Sequence, residues 1–150
     1  MATYRSIDEP YIKWIVKEYE HWTLMLARDS QRYLGRAIVW LAREGGMQRF
    51  SEITDDEMAE LRIVIKEYEV AVGKLWKPDF MNYCWLANLF SAHGGHGHMH
   101  LIPRYQGPRV FEGIEFTDDR WGQNYTPSTP MELSEEMYGK IRDALKRGLA

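Results

Sequence analysis

Runs and periodic spacings of apolar residues along the chain predict a mixture of strands and helices. Residues 8–20 open on Asp8-Glu9-Pro10, an acidic first turn that tolerates proline, and they predict an N-terminal helix. Residues 22–27 and 36–41 are mainly apolar runs bounded by turn-forming residues, and each predicts a largely buried strand. Two further strands are predicted over residues 80–86 and 96–102, and the glycine-bearing loop between them favours an antiparallel hairpin.

Two later segments predict amphipathic helices. Thr54-Asp55-Asp56-Glu57 has the sequence of a capping box, and Pro78 sets the limit of the helix that begins there. One apolar face of this helix is formed by Met58, Leu61, Ile65, Tyr68, Val72 and Leu75. Ser134 is typical of an N-cap and predicts a last helix, with Met137, Ile141 and Leu145 on one side.

Residues 108–130 show little periodicity and are rich in Gly, Pro, Asp and aromatic residues. We interpret them as an ordered but irregular arm. Large aromatic side chains are unfavourable in water, so the arm's aromatic residues should pack either on the domain or on a partner subunit. These residues are Phe111, Phe116, Trp121 and Tyr125.

Composition adds limits to this picture. A chain of 150 residues is the usual length of a single domain, and 45% hydrophobic with 27% charged residues is ordinary for a soluble protein. A net charge of -3 argues against a general nucleic-acid coat, although a single nucleotide is compatible with it. One cysteine, Cys84, excludes an intrachain disulfide and a paired-cysteine zinc or iron–sulfur site. We find no signal-like start or membrane span and expect a cytoplasmic protein with no membrane partner.

The candidate chemistry lies in a histidine cluster between residues 93 and 100. On a strand, His96, His98 and His100 would share one face at spacings of about 7 Å, with Met99 on the other. Like charges so close disfavour each other, so neutral and protonated rings would coexist near neutral pH. Such a mixture offers a nucleophile or base together with an acid or anion clamp, and Gly94-Gly95 could present backbone amides to a phosphate.

The segment His96-Gly97-His98-Met99-His100-Leu101-Ile102, followed by Pro103-Arg104, resembles the histidine-triad motif. Phe111-Glu112-Gly113 and Trp121-Gly122 are similar to a prokaryotic branch close to diadenosine polyphosphate hydrolases. The resemblance implies an α+β fold, in which an antiparallel sheet carries a main amphipathic helix and flanking N- and C-terminal helices. It also implies a single domain over residues 1–150, with a core at about 20–105 and a C-terminal arm and helix over 106–150.

The same resemblance implies a homodimeric nucleotide hydrolase or nucleotidyl transferase that attacks an α-phosphorus with His98. The reaction would pass through a nucleotidyl-histidine intermediate, and His96 and His100 would flank the phosphate as hydrogen-bond donors. No cofactor is required by this chemistry, although a divalent cation can accompany the nucleotide. Further substrate-binding candidates are Asn88 near the phosphates, Arg28 or Asp29 at the ribose, and Ser91, His93, Gly94 and Gly95 in the loop before the triad.

Three features depart from the family pattern. The loop before the triad lacks the Gly-Gln-Ser or Gly-Gln-Thr of that family, and Ser91, His93, Gly94 and Gly95 stand in its place. Gly97 stands where a hydrophobic residue separates the first two histidines, and this should loosen the backbone there. Arg36, after Gly35, occupies the position where many members of the family carry a fourth histidine, so the local charge should differ.

Two alternatives to nucleotide transfer stay open at the level of sequence. The alternating histidines are also a common ligand pattern, and His93 or Glu112 could complete a shell for zinc, iron or manganese. A non-catalytic nucleotide-binding module is the other alternative, since fold and function separate easily.

Overall fold

The computed structural model describes residue 7 and residues 9–28, 31–43, 49–85, 96–126 and 131–149. Within these ranges a five-stranded antiparallel sheet and a separate two-stranded ribbon are accompanied by three α-helices. The strands are β1 (Ile15–Glu18), β2 (Trp22–Leu26), β3 (Ala37–Leu41), β4 (Phe80–Cys84), β5 (His98–Arg104), β6 (Arg109–Phe111) and β7 (Ile114–Phe116). The helices are α1 (Glu9–Ile12), α2 (Asp55–Leu75) and α3 (Glu135–Leu149), and a short 3-10 helix spans Phe50–Glu52.

The large sheet has the strand order β1-β2-β3-β5-β4, so β5 lies between β3 and β4. Both neighbours run antiparallel to it, as predicted for the strands around residues 80 and 98. The loop expected between β4 and β5 falls mostly on residues 86–95, outside the described ranges. Central placement means that both edges of β5 are hydrogen-bonded, which fixes the direction of every side chain it carries.

One face of the sheet packs against α2 and α3. The capping box predicted for α2 is present, since Thr54 Oγ1 accepts from the Glu57 amide and the Glu57 carboxylate accepts from the Thr54 amide. Met137 N donates to Ser134 Oγ in the predicted cap of α3. The core between the helices and this face includes Leu24, Leu26, Val39, Leu41, Leu61, Val64, Val72, Leu101, Ile141 and Leu145.

The N-terminal prediction is wrong beyond its first turn. Residues 8–20 do not form one helix, because α1 ends at Ile12 and β1 follows at Ile15. β1 pairs antiparallel with β2, and Tyr19 N donates to Trp22 O at 2.8 Å to close the turn between them. Two β-branched residues, Ile15 and Val16, favour this extended conformation once a partner strand is available.

The arm is more regular than predicted. β6 and β7 form a hairpin in which Phe111 pairs with Ile114, leaving Glu112 and Gly113 as a two-residue turn. Both turn residues have positive φ, 50° and 77°, as a type I′ turn requires. Glutamate rarely adopts this conformation, and the Glu-Gly pair therefore gave no strong hairpin signal.

The aromatic residues of the arm pack on the rest of the chain, one of the two options expected. Phe116 is buried in the core, and the ring of Phe111 meets Trp76 edge-on at 5.4 Å. Trp121 stacks on Phe80, and Tyr125 meets Tyr33 edge-on at 5.7 Å.

None of the described helices is both long enough and apolar enough to span a membrane.

Candidate active site

The three histidines lie on the face of the sheet opposite α2 and α3. His98 of β5 pairs with Trp40 of β3, and His100 pairs with both Ile38 and Cys84. Directly opposed residues of paired strands project to the same side of a sheet. The His98 and His100 ring centroids are 5.2 Å apart, and the rings of His96 and His98 both stack on Trp40. The alternating motif thus gathers its imidazoles in one place.

His98 is held by its own backbone and by an aromatic neighbour. Its Nδ1 lies 3.0 Å from the carbonyl oxygen of His96, which can only accept, so Nδ1 carries the proton. In the neutral ring the lone pair is then on Nε2. The indole of Trp40 lies 5.0 Å away at 15°, an offset stack that restrains the imidazole plane. His98 is 5% exposed, a burial that shields it from bulk water.

His96 uses its donor within the protein. Its Nε2 donates to the carbonyl of Leu41, and burial lowers the pKa of His96 with a smaller contribution from the Arg43 charge. A neutral ring with Nε2 protonated has only Nδ1 left, as an acceptor. This differs from the sequence-based expectation that His96 donates to a phosphate.

Gly97 keeps the backbone in register despite its lack of a side chain. Its carbonyl accepts from the Leu41 amide at 3.0 Å, which extends the pairing of β3 and β5 by one residue. Leu41 therefore makes two hydrogen bonds to this segment: its carbonyl accepts from His96 Nε2, and its amide donates to the Gly97 carbonyl. Together they fix the backbone that carries His98.

His100 is half-buried and takes its orientation from Arg36. Nη2 of Arg36 lies 2.8 Å from His100 Nδ1. Guanidinium nitrogens only donate, so His100 Nδ1 is an acceptor and its proton is on Nε2. His100 therefore has a donor to offer to an anion, unlike His96, and a permanent positive charge lies beside it.

The remaining predicted substrate contacts have mixed outcomes. Arg28 is not brought to the histidines, because it forms an ion pair with Glu135 and lies 4.8 Å over the ring of Tyr138, both in the α3 region. The other candidates, Asp29, Asn88, Ser91, His93, Gly94 and Gly95, lie outside the described residues.

Sequence analysis missed Trp40 as part of this site. Trp40 contacts two of the three imidazoles. On the same side of the strand, the Arg36 guanidinium lies 5.5 Å over the ring of Tyr125. Residues 36, 38 and 40 alternate on one face, and this pattern was available from the sequence. Their alignment with the histidines depends on the register of β3 and β5, which no local pattern specifies.

A metal centre built from the triad fits this geometry poorly. His100 has no lone pair for a metal, because its Nδ1 accepts from Arg36 and its Nε2 carries the proton, and the guanidinium beside it would repel a cation. Within the described ranges, the group of side chains that could hold an ion is Glu20, His21 and Glu60, which contains no triad residue.

Comparison with known proteins connects this geometry to a fold. No family model matches the chain. No curated protein matches it either. Among solved structures, a histidine triad protein from Marinobacter aquaeolei has a TM-score of 0.66 at 20% identity, over 95% of this chain and 94% of that one. One from Sinorhizobium meliloti has a TM-score of 0.66 at 18% identity, over 95% and 96%.

A third solved structure, described as a hypothetical histidine triad nucleotide-binding protein from Sulfolobus tokodaii, has a TM-score of 0.62 at 21% identity, over 91% of this chain and 83% of that one. The chain therefore has the fold of histidine-triad proteins, and the α+β prediction is confirmed.

Proposed function

We propose that this chain is a nucleotide hydrolase or nucleotidyl transferase in which Nε2 of His98 attacks an α-phosphorus. The observation that carries the proposal is the bond from His98 Nδ1 to the His96 carbonyl, 3.0 Å long. It assigns the proton to Nδ1 and the lone pair to Nε2, the arrangement that a nucleophilic imidazole needs. The nucleotide-binding description of the Sulfolobus tokodaii neighbour agrees with this choice of substrate class.

The reaction divides into two displacements. A bond forms between His98 Nε2 and the α-phosphorus while the bond from phosphorus to the leaving oxygen or nitrogen breaks, and the leaving group departs with that electron pair. Water or another acceptor then attacks the phosphorus, loses its proton, and releases the nucleoside monophosphate as the N–P bond breaks. His100 Nε2–H stabilises the charge that develops on the phosphoryl oxygens.

The substrate that we favour is a dinucleoside polyphosphate or a nucleotidyl conjugate, as in diadenosine polyphosphate hydrolases. The motif and the Phe111-Glu112-Gly113 and Trp121-Gly122 segments support this choice. No resident cofactor enters the proposal, and a divalent cation would arrive bound to the polyphosphate.

A quenched single-turnover experiment tests the proposal. The protein is mixed with diadenosine polyphosphates, adenosine phosphoramidates or nucleotide sugars carrying a labelled α-phosphate, and acid-labile label on the protein is measured. We expect label on the wild-type protein and none on His98→Ala, with a rate loss of several orders of magnitude.

The matched control is His21→Ala, which removes a histidine outside the triad. It should label and turn over like the wild type. A rate loss much below about a hundredfold in a folded His98→Ala would remove His98 from the nucleophile's role. Tight nucleotide binding by calorimetry without any product would instead favour a non-catalytic binding module.

We also propose that the protein is a homodimer through the β4 edge. In the described part of the sheet β4 is an edge strand, and it carries Phe80, which is 69% exposed. Tyr83 of the same strand is 39% exposed and bonds to Glu69 of α2. An exposed edge with apolar neighbours can pair with its own copy about a two-fold axis.

Sedimentation of the intact protein tests the dimer. We expect twice the chain mass at micromolar concentrations and a monomer for Phe80→Glu. Val110→Glu changes an equally exposed apolar residue on β6 and should stay dimeric. A wild-type protein that sediments as a monomer would end this proposal without affecting the one for His98.

A further inference from the structure

Arg36 is a buried cation fixed beside the triad. Arg36 is only 4% exposed and lies immediately before β3. Its Nη2 donates to His100 Nδ1 at 2.8 Å. The backbone around it is rigidly bonded, since the Arg36 carbonyl accepts from Ala27 N at 3.0 Å and from Gln31 Nε2 at 2.9 Å. The position of the guanidinium is therefore set by the fold.

The preceding glycine is part of this arrangement. Gly35 has a φ of 89°, and a Cβ there would lie 2.6 Å from the ring of Trp76. Gln31 Oε1 accepts from the Gly35 amide at 2.9 Å. A tight turn held by buried Gln31 thus delivers Arg36 to the end of β3.

The bond between Arg36 and His100 has one chemically consistent form. Guanidinium keeps its charge and has no acceptor, so His100 Nδ1 must hold a lone pair. Protonating Nδ1 would oppose two N–H groups across 2.8 Å and place two cations side by side. The ring is then neutral, with its proton on Nε2.

We propose that Arg36 is a positioning residue that holds His100 as a neutral Nε2–H donor and supplies the fixed positive charge of the phosphate site. This rests on the proposed function for its consequence in catalysis, although the state of His100 does not. A histidine in place of Arg36 would lose its charge near its usual pKa of about 6.5, whereas an arginine keeps it.

The surrounding titratable groups do not replace that charge. In the described ranges, His98 on β5 and Cys84 on β4 flank His100, Tyr125 of the arm lies under the Arg36 guanidinium, and the charge of Arg36 also acts on Tyr68 of α2. Burial raises the pKa of Cys84, Tyr125 and Tyr68, and Arg36 acts in the opposite direction on each. All three are neutral around pH 7, so none of them cancels the positive charge of Arg36.

Two substitutions separate the charge of Arg36 from its hydrogen bond. Arg36→Gln removes the charge but keeps an N–H₂ group that can donate to His100 Nδ1. Arg36→Met removes both while retaining an unbranched side chain. Arg142→Gln is the control, because Arg142 lies on α3, bonds to Asp143 and to the Lys13 carbonyl, and takes no part in the site.

The primary measurement is heteronuclear NMR of the imidazole nitrogens, with His100 assigned by its loss in His100→Asn. We expect the Nε2–H tautomer in the wild type, in Arg36→Gln and in Arg142→Gln, unchanged between about pH 5 and 8. Arg36→Met should show mixed tautomers and a titration within that range. An Nδ1–H signal for wild-type His100, or an Arg36→Met spectrum identical to wild type, would overturn the proposal.

Binding and turnover give the second readout. Arg36→Gln should weaken AMP binding about tenfold in calorimetry, since the positive charge beside the phosphate is lost. Arg36→Met should weaken binding similarly and also lower kcat by about a hundredfold, the usual effect of losing one donor to a developing anion. Equal AMP affinity in wild type and Arg36→Gln would refute the charge role. Absence of any nucleotide binding in the wild type, with the tautomer as expected, would refute the proposed function and leave the NMR result standing.

Discussion

Trp40 shows how a single side chain can orient two others. Its indole stacks on His96 at 5.1 Å and 14° and on His98 at 5.0 Å and 15°. Trp40 also packs with Ile7 and Met25 in a small apolar cluster. Packing that fixes the indole therefore also fixes the planes of both imidazoles, as the proposed in-line attack at phosphorus would require.

Replacing Trp40 with a smaller side chain should lower the rate of the proposed reaction while the protein stays folded. We expect Trp40→Phe to lose about tenfold in single-turnover rate and Trp40→Leu about a hundredfold, because small misplacements of reacting groups are costly. Thermal melts should show both proteins folded, with the leucine variant less stable. Trp121→Phe, at the Phe80 stack, is the matched control. Wild-type rates in a folded Trp40→Leu protein would mean that the stack has no part in catalysis.

At the level of elements, Arg104 joins β5 to its surroundings through all five of its guanidinium donors. Nε and Nη2 bond to the two carboxylate oxygens of Asp118 at 2.7 and 3.1 Å. Nη1 bonds to Asn82 of β4 and to the Gln123 carbonyl, and Nη2 also bonds to the Arg120 carbonyl. The arginine of the Pro-Arg pair after the triad is thus a structural tie that holds the arm against β4 and β5.

Removing the acid of this pair should be strongly destabilising. Asp118 has a fully buried side chain, and Asp118→Ala would leave Arg104 as an uncompensated buried charge. We expect a loss of about 3–5 kcal/mol in the free energy of unfolding, measured by urea denaturation. Glu136→Ala breaks the exposed pair with Lys140 and should change it by less than about 0.5 kcal/mol. Similar effects for the two variants would contradict the assignment of Arg104 as a tie.

The sequence predicts some elements better than others, because some are stabilised by local interactions and others by contacts with distant parts of the chain. The capping box and periodic apolar face of α2 are local signals, and the helix begins where Thr54 indicates. β1 depends on pairing with β2, a tertiary contact that overrode the helical pattern of residues 8–20. In the site, alternation alone places the histidines on one face, whereas the bonds of His96 to Leu41 and of His100 to Arg36 depend on the register of separate strands.

In the whole molecule, one face of the large sheet packs against the helices and the core, and the other face carries the histidine cluster. On β5 the histidines face one side while Met99 and Leu101 pack among the core residues of the other. Each strand that carries a site residue therefore also anchors the helical layer, and burial of Leu101 holds the register of its neighbours. Stability and site geometry are coupled through this shared strand.

Two buried groups that both interact with Arg43, His96 and Glu57, should give the stability of the protein two different responses to acid. Burial lowers the pKa of His96, so below about pH 6.5 the unfolded chain takes up a proton that the folded protein resists. Burial acts to raise the pKa of Glu57, but its bonds with Arg43 and Thr54 outweigh this and lower it. The contribution of Glu57 is therefore complete above its unfolded value, about 4.3, and is lost as the pH falls through the lower folded value.

Substituting each group should remove its own part of this response. His96→Asn retains an amide that can donate to the Leu41 carbonyl. Below about pH 6.5 the wild type should lose stability relative to this variant, because only the wild type carries the imidazole whose protonation favours the unfolded chain. Glu57→Gln retains a side chain suited to the capping box but loses the charge paired with Arg43, and its difference should shrink only below about pH 4.3. Urea denaturation across a pH series measures both. The two unfolded pKa values are about two units apart. If the stability differences of both variants from wild type began to change at the same pH, at least one of the two groups would not affect the stability through its own ionisation.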